Sequence, residues 1–205
     1  MKARRDTATP ETSFRIRPED WLNPLPLHDL FEQPDRPLEL DVGCGKGRFL
    51  LAHAQGNPGV NFLGIDRMLR RIRALDRKVR RREIRNVRLL RMEAYYATTY
   101  LVPPDSVTTY YIFFPDPWPK KRHRDHRLFN PKFMDALHRT MRAGGRMHFA
   151  TDHLPYYEAV CELFRADGRF KEVAPYVPAE EERTDFELWY IREGSIGRLS
   201  VEKQD

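Results

Sequence analysis

Short apolar runs that alternate with helix-patterned segments are the feature that most limits how this chain can fold. Each run has the length and the aliphatic or aromatic content of a buried strand. The first five runs are LELDV from Leu38, VNFLGID from Val60, NVRLLRM from Asn86, YYIFF from Tyr110 and RMHFAT from Arg146. Strands separated by helices favour a parallel sheet with right-handed crossovers. The chain is therefore predicted to form an α/β sheet that is mostly parallel, and its 205 residues are enough for one substantial core.

Each of these five runs has a carboxylate at or near its end. The acids are Asp41, Asp66, Glu93, Asp116 and Asp152. Because parallel strands bring their carboxyl ends to one edge of a sheet, where ligands bind in open α/β folds, we expect these side chains to line one cleft. Singly, each has a plainer explanation: Asp66 is also a suitable N-cap for the next helix, and Glu93 could cap a short helix as readily as bind an adenine amino group.

Three glycines, Gly43, Gly45 and Gly47, alternate in the turn between the first strand and its helix. A glycine turn lets the backbone approach a ligand closely, because no side chain intervenes. The dinucleotide fingerprint would require a further glycine where Arg48 stands, and the phosphate-loop pattern is absent. Asp66, 23 residues after Gly43, stands where nucleotide-binding sheets bind a ribose diol. The turn and this acid together indicate a nucleotide-like ligand.

The stretch from Tyr110 to Arg127 changes from apolar to strongly basic across three prolines. The strand has to stop at Pro115, because proline donates no hydrogen bond to the ladder and restricts the residue before it. Asp116 therefore lies just past a strand end, held between two prolines and beside Trp118, where it is well placed for chemistry. The alternative is a proline-rich turn with a solvated aspartate and a basic tail.

The positive charge of the chain is concentrated in two blocks. Between Arg67 and Arg91, twelve Lys or Arg residues accompany two acids, a segment charge of +10 that exceeds the +6 of the whole chain. The second block runs from Lys120 to Arg127. Such blocks favour a polyanion partner, since neutralised phosphates release counterions. For the first block, a solvated helix face is the alternative.

Cysteine usage and hydropathy bear on the compartment. Cys44 and Cys161 are far apart and form no metal-binding pattern, so neither a disulfide framework nor a zinc site is expected. No apolar run approaches the roughly 20 residues needed to span a bilayer, and the N-terminus has no apolar signal region. The protein is expected to be cytoplasmic, with no bound metal and no membrane partner.

Residues 1–36 are predicted to form a partly disordered N-terminal arm that lies partly on the body of the protein, with the disorder in its first ten residues. Residues 37–205 are predicted to form the single remaining domain. Within it, the basic helix is expected from Arg67 to Arg82. Its buried stripe is expected to be Met68, Ile72, Leu75 and Val79. Two more strands, FKEVAPY from Phe170 and FELWYIR from Phe186, bring the expected total to seven.

Six short motifs follow one another along the chain. They are LDVGCGKG from Leu40, FLGID from Phe62, NVRLLRMEA from Asn86, FFPDPWPKKRH from Phe113, ATD from Ala150 and TDFE from Thr184. In this order they resemble the bacterial tRNA (guanine-N7-)-methyltransferases, and FFPDPW followed by KKRH is the most specific part of the resemblance. It implies a Rossmann-like class I methyltransferase fold, with a mostly parallel seven-stranded sheet and helices on both faces. It also implies methyl transfer from S-adenosyl-L-methionine to N7 of a guanine in the variable loop of tRNA, by a monomer or homodimer.

The resemblance further implies roles for individual residues. The family's cofactor-binding positions match Asp41, Gly43, Gly45, Asp66, Glu93 and Asp116. Its tRNA-contacting positions match Lys120, Asp152, Thr184, Asp185, Phe186 and Glu187. The chain departs from the family pattern in having aspartate for glutamate at 41 and 66 and glutamate for aspartate at 93. It also has Asp185 where many members have lysine.

Methylation at guanine N7 sets its own chemical demands. N7 carries a bare acceptor lone pair, so no proton is lost and no general base is required. The purine gains positive charge as the sulfonium loses it, and a carboxylate aimed at the base stabilises that change. We therefore assign Asp116 the catalytic role. The other side chains expected to contact the purine are Trp118, Tyr111 or Phe114 by stacking and Asp152 and Glu187 by hydrogen bonds.

Two other functions are open on the sequence. One is a methyltransferase that acts on a protein, a small molecule or a DNA amine, since the PDPW loop loosely resembles that of amino-methyltransferases. The other is an RNA-binding module that keeps the fold without catalysis. The basic segment after PDPW argues against the first, and the presence of acids at three cofactor positions argues against the second.

Overall fold

The computed structural model describes residues 13–190 and 194–204, and within them an eight-stranded sheet forms the centre of the fold. The strands are β1 (Arg15–Ile16), β2 (Leu38–Val42), β3 (Asn61–Ile65), β4 (Val87–Leu90), β5 (Val107–Phe113), β6 (Met141–Thr151), β7 (Phe170–Val173) and β8 (Gly197–Lys203). Their order across the sheet is β1-β4-β3-β2-β5-β6-β8-β7. Neighbouring strands are parallel except at β8, which is antiparallel to both β6 and β7.

Helices cover both faces of this sheet. They are α1 (Arg48–Gly56), α2 (Leu69–Arg81), α3 (Ala94–Tyr96), α4 (Pro131–Thr140), α5 (Leu154–Ala166) and α6 (Asp185–Tyr190). Successive side chains of a strand point to opposite faces. Accordingly, Phe62 of β3 packs with α1 and α2, whereas Leu63 and Ile65 belong to the cluster that contains the apolar faces of α4 and α5. The predicted mostly parallel α/β fold with two helical layers is therefore confirmed.

Two features of the backbone complete the description. Short 3-10 helices cover Leu27–Leu30, Lys121–His126 and Glu180–Glu182, and a π-helical turn covers Ala97–Leu101. In the part of the chain that the structure describes, no helix is long and apolar enough to cross a bilayer.

The eighth strand comes from the N-terminal arm. Arg15 and Ile16 pair with Leu89 and Leu90, which adds β1 to the outer edge of the sheet. The buried Asp76 of α2 holds this strand in place by accepting a hydrogen bond of 2.9 Å from the backbone N–H of Phe14. Further along, the arm buries three apolar side chains in the main core, those of Leu25, Leu27 and Phe31. The expected disorder of residues 1–10 lies outside the described residues.

Helix α2 buries the expected stripe with one exception. Ile72, Leu75 and Val79 are fully buried against α1, β3 and β4, as their helical spacing predicts. Met68 is exposed, because the helix begins at Leu69 and Met68 lies outside its first turn with an extended backbone.

The predicted strand from Phe186 is wrong, because residues 186–190 belong to α6 and the last strand is β8. Aromatic and β-branched residues made FELWYIR resemble a strand. The helix instead follows from the residues before it, since TDFE matches the capping pattern of Thr followed three residues later by Glu. Thr184 Oγ1 accepts a hydrogen bond of 3.0 Å from the backbone N–H of Glu187, which satisfies a donor of the first turn.

Candidate active site

A cavity of about 570 Å³ opens at the carboxyl ends of β2 and β5. Strand order reverses between these two neighbours, since β3 and β4 continue on one side of β2 and β5 and β6 on the other. Such a switch point is where open α/β sheets bind ligands. The cavity is lined by Asp41, the turn from Gly43 to Phe49, Arg71, Phe113, Phe114, Asp116, Thr184, Asp185, Phe186 and Trp189. The sheet therefore brings the predicted glycine turn and Asp116 to one hollow.

The glycine turn forms the floor of the cavity. Gly43 has a φ of +86°, and a Cβ atom built on it would meet no atom within 4 Å, so the backbone here faces open space. Gly47 is required for a different reason: at a φ of +75°, a Cβ atom would lie 2.2 Å from Leu75 Cδ1 of α2. One glycine thus leaves room for a ligand, and the other lets two helices pack.

Asp66 holds the glycine turn in place. Its Oδ2 accepts hydrogen bonds from the N–H of Gly45, at 3.1 Å, and from Arg71 Nη1, at 3.2 Å, and its Oδ1 accepts one from the N–H of Met68 at 2.7 Å. The residue is buried and does not line the cavity. The interaction with Met68 resembles the capping role left open by the sequence, and the bond to Gly45 makes Asp66 a support for the cavity floor.

Asp41 differs from Asp66 in having no such donors. It lies in β2 on the cavity wall, is only 5% exposed, and accepts no hydrogen bond from any residue that the structure describes. Burial raises the pKa of Asp41 to about 7; the nearby His53 opposes this increase and Asp66 adds to it. A buried, unpaired carboxylate at a cavity favours a cationic ligand, because a positive charge would offset the cost of ionisation.

Glu93 acts as a helix cap in this structure. Its two carboxylate oxygens accept hydrogen bonds of 2.9 Å from the backbone N–H groups of Tyr95 and Tyr96, at the start of α3. The side chain is exposed and does not line the cavity. Of the two interpretations that the sequence left open for Glu93, the geometry therefore provides the cap.

Asp116 lies at the cavity rim on a strained loop. Its side chain is 71% exposed, and Arg67 Nη2 lies 3.8 Å from Oδ2, an exposed ion pair that contributes little stability. The flanking Phe114 and Trp118 have φ values of +53° and +42°, a left-handed conformation that side chains other than glycine disfavour. Strain of this kind is concentrated at functional sites, where the surrounding structure enforces it.

The rest of the loop fixes this geometry. Arg127 Nε donates a hydrogen bond of 2.7 Å to the carbonyl oxygen of Pro117. The ring of Trp118 packs against His123 and His126, with centroid separations of 5.7 and 5.0 Å. Trp118 is thus held within its own loop and does not line the cavity.

Helix α6 forms the wall opposite the glycine turn. Asp185, Phe186 and Trp189 line the cavity from this helix, and the Phe186 ring lies 4.8 Å from the Phe114 ring. Trp189 is 81% exposed. It was not among the site residues predicted from the sequence. Glu187 points the other way: it is 1% exposed and forms a salt bridge with Arg198 of β8. Glu187 therefore anchors α6 to the sheet and does not line the cavity.

A buried polar network attaches this wall to the body. His53 of α1 lies between two carboxylates, 2.7 Å from Glu182 Oε1 and 3.5 Å from Glu39 Oε2. Burial lowers the pKa of His53, but the hydrogen bonds with Glu39 and Glu182 outweigh it, so the net shift is upward. Tyr176 donates a further hydrogen bond of 2.9 Å to Glu182 Oε2. The segment that leads into α6 is thus fixed from two sides.

The remaining predicted residues do not line the cavity, with one exception. Lys120 is exposed on the loop after Asp116, and Asp152 is half-buried just past the end of β6. Tyr111, a candidate for stacking, is buried and donates a hydrogen bond of 3.0 Å to Glu39 Oε2, so it is not available to a ligand. Phe114 is the one of the three aromatic candidates that lines the cavity.

The sheet order and the cavity at its switch point define a Rossmann-like methyltransferase fold. Solved structures with this fold include the 16S rRNA methyltransferase KamB, with a TM-score of 0.63 at 16% identity over 87% of this chain and 91% of that one. A putative methyltransferase from Streptococcus mutans in complex with SAH gives a TM-score of 0.55 at 13% identity, over 82% and 89% of the two chains. Likeness at this identity concerns the fold alone.

Sequence relatives identify the family. Residues 35–188 match the family model described as putative methyltransferase. The tRNA (guanine-N(7)-)-methyltransferase of Rubrobacter xylanophilus is 36% identical over 173 residues, 81% of this chain and 76% of that protein. The enzyme of the same name from Mycobacterium avium is 33% identical over 84% of this chain and 68% of its own length. The chain belongs to the tRNA (guanine-N7-)-methyltransferase family.

The cavity residues fit S-adenosylmethionine on chemical grounds. This molecule carries a positively charged ammonium group and a sulfonium, and Asp41 offers a buried carboxylate with no other partner among the described residues. The backbone at Gly43 leaves open space for close approach of a ligand. Phe113 adds aromatic surface suited to a purine ring. A carboxylate, an open backbone and an aromatic ring are the groups that such a cofactor requires.

Proposed function

We propose that this protein transfers a methyl group from S-adenosylmethionine to N7 of a guanine in tRNA, within the variable loop. The observation that carries the proposal is the cavity, which places the buried Asp41 and the glycine turn opposite the exposed Asp116 and α6. We further propose that it works in the cytoplasm as a monomer or homodimer.

The cofactor side of the cavity consists of Asp41, Gly43 and Gly45. When bound, S-adenosylmethionine supplies an electrophilic methyl group on a positively charged sulfur. Asp41 holds the cation, and Gly43 permits close approach. Asp66 contributes by keeping Gly45 and the start of α2 in place. Glu93 contributes by fixing α3.

Asp116 acts on the base. Guanine N7 attacks with its lone pair, so the enzyme requires no general base, and the purine becomes more positive as the bond forms. The carboxylate of Asp116 stabilises that charge from the rim of the cavity, where the flanking strained residues hold it. Alignment of the two reactants in one cavity provides the rest of the rate enhancement.

The substrate side combines aromatic and basic groups. Phe114 and Phe186, whose rings already contact each other, provide a surface on which the target base can stack. Thr184 and Asp185 lie beside them on the cavity wall. Lys120 binds a neighbouring phosphate, Asp152 binds a polar edge of the base, and Glu187 positions α6 through Arg198.

The test is incubation of the purified protein with total tRNA and methyl-labelled S-adenosylmethionine, followed by digestion to nucleosides. We expect the label in 7-methylguanosine. Label in another nucleoside would show that the methyl acceptor is not guanine N7. Transfer to added protein or DNA substrates, with none to tRNA, would overturn the proposal.

A further inference from the structure

The charges of helix α2 are sorted by face. The helix contains seven Lys or Arg residues and one acid, Asp76. Asp76 is buried. It forms ion pairs with Arg80 at 3.7 Å and Arg15 at 3.6 Å, and it accepts a hydrogen bond from the N–H of Phe14. The only acid of the helix thus stabilises the N-terminal arm and leaves the outer surface of α2 with cations alone.

Three of these cations form a row on the outer surface. Arg70, Arg73 and Arg81 are exposed and form no ion pair with the residues that the structure describes. At 3.6 residues per turn, Arg70 and Arg81 lie about three turns apart on the same side, opposite the buried stripe of Ile72 and Val79. The row is about 16 Å long.

A row of like charges is costly for a solvated helix. Arg70 and Arg73, three residues apart, are neighbours on the helix surface, where like charges repel and destabilise a helix. A helix face that serves only solubility commonly alternates acids with bases, which avoids this repulsion. Because α2 has no outward acid, its charge pattern suits a partner that supplies negative charge.

The row begins at the mouth of the candidate active site. Arg67, just before α2, lies 3.8 Å from Asp116, and Arg71, in its first turn, lines the cavity. From there α2 runs back toward the amino ends of β3 and β4, and a depression of about 430 Å³ lies between Ala74, Lys78 and the arginines at 77 and 81. A polyanion that delivers a base to the cavity would therefore extend naturally along this helix.

We propose that the outward face of α2, defined by Arg70, Arg73 and Arg81, is a second contact surface for the RNA substrate. It binds backbone phosphates of a segment remote from the methylated guanine. This inference rests on the proposed function, because it takes tRNA as the polyanion. The surface supplies affinity without base recognition, since phosphate contacts position a nucleic acid and do not read its sequence.

The test compares two triple variants of the full chain. R70Q/R73Q/R81Q removes the row. The control, R142Q/R165Q/K171Q, removes three exposed cations from other elements, β6, α5 and β7. We expect the first to weaken tRNA binding roughly ten-fold at physiological salt. We also expect it to reduce the slope of log affinity against log salt by about 2 to 3, one for each lost contact. The control should bind tRNA as the wild type does.

Two further measurements make the outcome specific. Cofactor affinity should be unchanged in both variants, because none of the six residues lines the cavity. Wild-type protein should prefer full-length tRNA to a short hairpin that carries the target guanine, and R70Q/R73Q/R81Q should lose this preference. An unchanged salt slope, or an equal loss in the control, would overturn the inference while leaving the proposed function intact. A wild type that methylates no tRNA would instead overturn the proposed function, and the inference with it.

Discussion

The carboxylates at or near the carboxyl ends of the strands differ in the groups that bind them. Asp66 and Glu93 each accept hydrogen bonds from backbone N–H groups, so protein groups stabilise their negative charges. Asp116 is mostly solvated and has one exposed ion pair, with Arg67. Asp41 has no hydrogen-bond or ion-pair partner among the described residues. The sequence predicted that all five acids would line one cleft, but of these only Asp41 and Asp116 line the cavity. It could not predict how the acids divide between structure and ligand binding, because that depends on which backbone donors face each one.

Replacement of Asp116 tests its catalytic role. D116N keeps the size of the side chain but removes the negative charge that stabilises the methylated purine. We expect the kcat for tRNA methylation, measured at saturating cofactor, to fall by roughly 100-fold or more. The matched control is D125N, an exposed aspartate in the same loop. Retention of most activity by D116N at saturating cofactor would show that another group stabilises the charge.

Asp41 should make the stability of the ligand-free protein depend on pH. Its folded-state pKa, raised to about 7 by burial, lies above the ordinary value of 3.8. Between these values the folded chain holds a proton that the unfolded chain has lost, so the free energy of unfolding falls as pH rises and levels off above about 7. The total change is on the order of a few kcal/mol.

D41N removes this titration. We expect the variant to resemble the wild type near pH 4 and to be the more stable of the two near pH 8, as measured by denaturant unfolding without cofactor. It should also bind S-adenosylmethionine much more weakly. If the difference in stability between the two proteins does not change with pH, Asp41 is ionised in the folded state without penalty.

At the scale of single elements, α6 carries most of what could not be predicted. Strands β2 to β6 were predicted because their apolar runs are long and end at turn residues. The segment after Thr184 has the composition of a strand, and its helix depends on one cap and on the buried Glu187–Arg198 pair. Trp189 was missed for the same reason, since only a helix turns it toward the cavity with Asp185 and Phe186.

The network around His53 should hold α6 in place. E182Q removes the carboxylate that His53 and Tyr176 bind, so we expect faster amide hydrogen exchange across residues 184–190 than in wild type. E181Q, an exposed neighbour on the same 3-10 helix, is the control and should exchange as wild type does. Equal exchange in E182Q and wild type would mean that the Glu187–Arg198 pair alone fixes the helix.

The same network predicts a pH dependence. Because the pKa of His53 is raised in the folded state, its protonated form stabilises the wall, and this contribution is lost as pH rises through the folded-state pKa. After correction for intrinsic exchange rates, protection of residues 184–190 in wild type against amide hydrogen exchange should decrease as pH rises through the folded-state pKa of His53. In E182Q the decrease should be smaller.

At the scale of the whole molecule, residues 13–36 of the N-terminal arm pack with the rest of the protein. They add a strand to the sheet and apolar side chains to the core. The sequence could not indicate the edge pairing, since a two-residue strand has no periodicity to detect.

Two leucines of the arm provide a matched test. Leu25 is 5% exposed and Leu22 is 80% exposed. We expect L25A to lower the free energy of unfolding by about 2 to 4 kcal/mol, because it leaves a cavity in the main core. L22A should change it by less than about 0.5 kcal/mol. Similar values for the two variants in denaturant titrations would mean that the arm separates from the body before the body unfolds.

The contact between Gly47 and Leu75 links two surfaces with different tasks. With hydrogen as its side chain, Gly47 lets α2 lie directly against the turn, and Lys78 reinforces the contact by donating a hydrogen bond of 2.8 Å to the carbonyl oxygen of Lys46. A larger residue at 47 would overlap the Leu75 side chain and would also have to adopt a left-handed backbone conformation, so the local packing between the turn and α2 would have to change. The packing of the cavity floor against the helix that carries the arginine row therefore depends on a residue without a side chain at this one position.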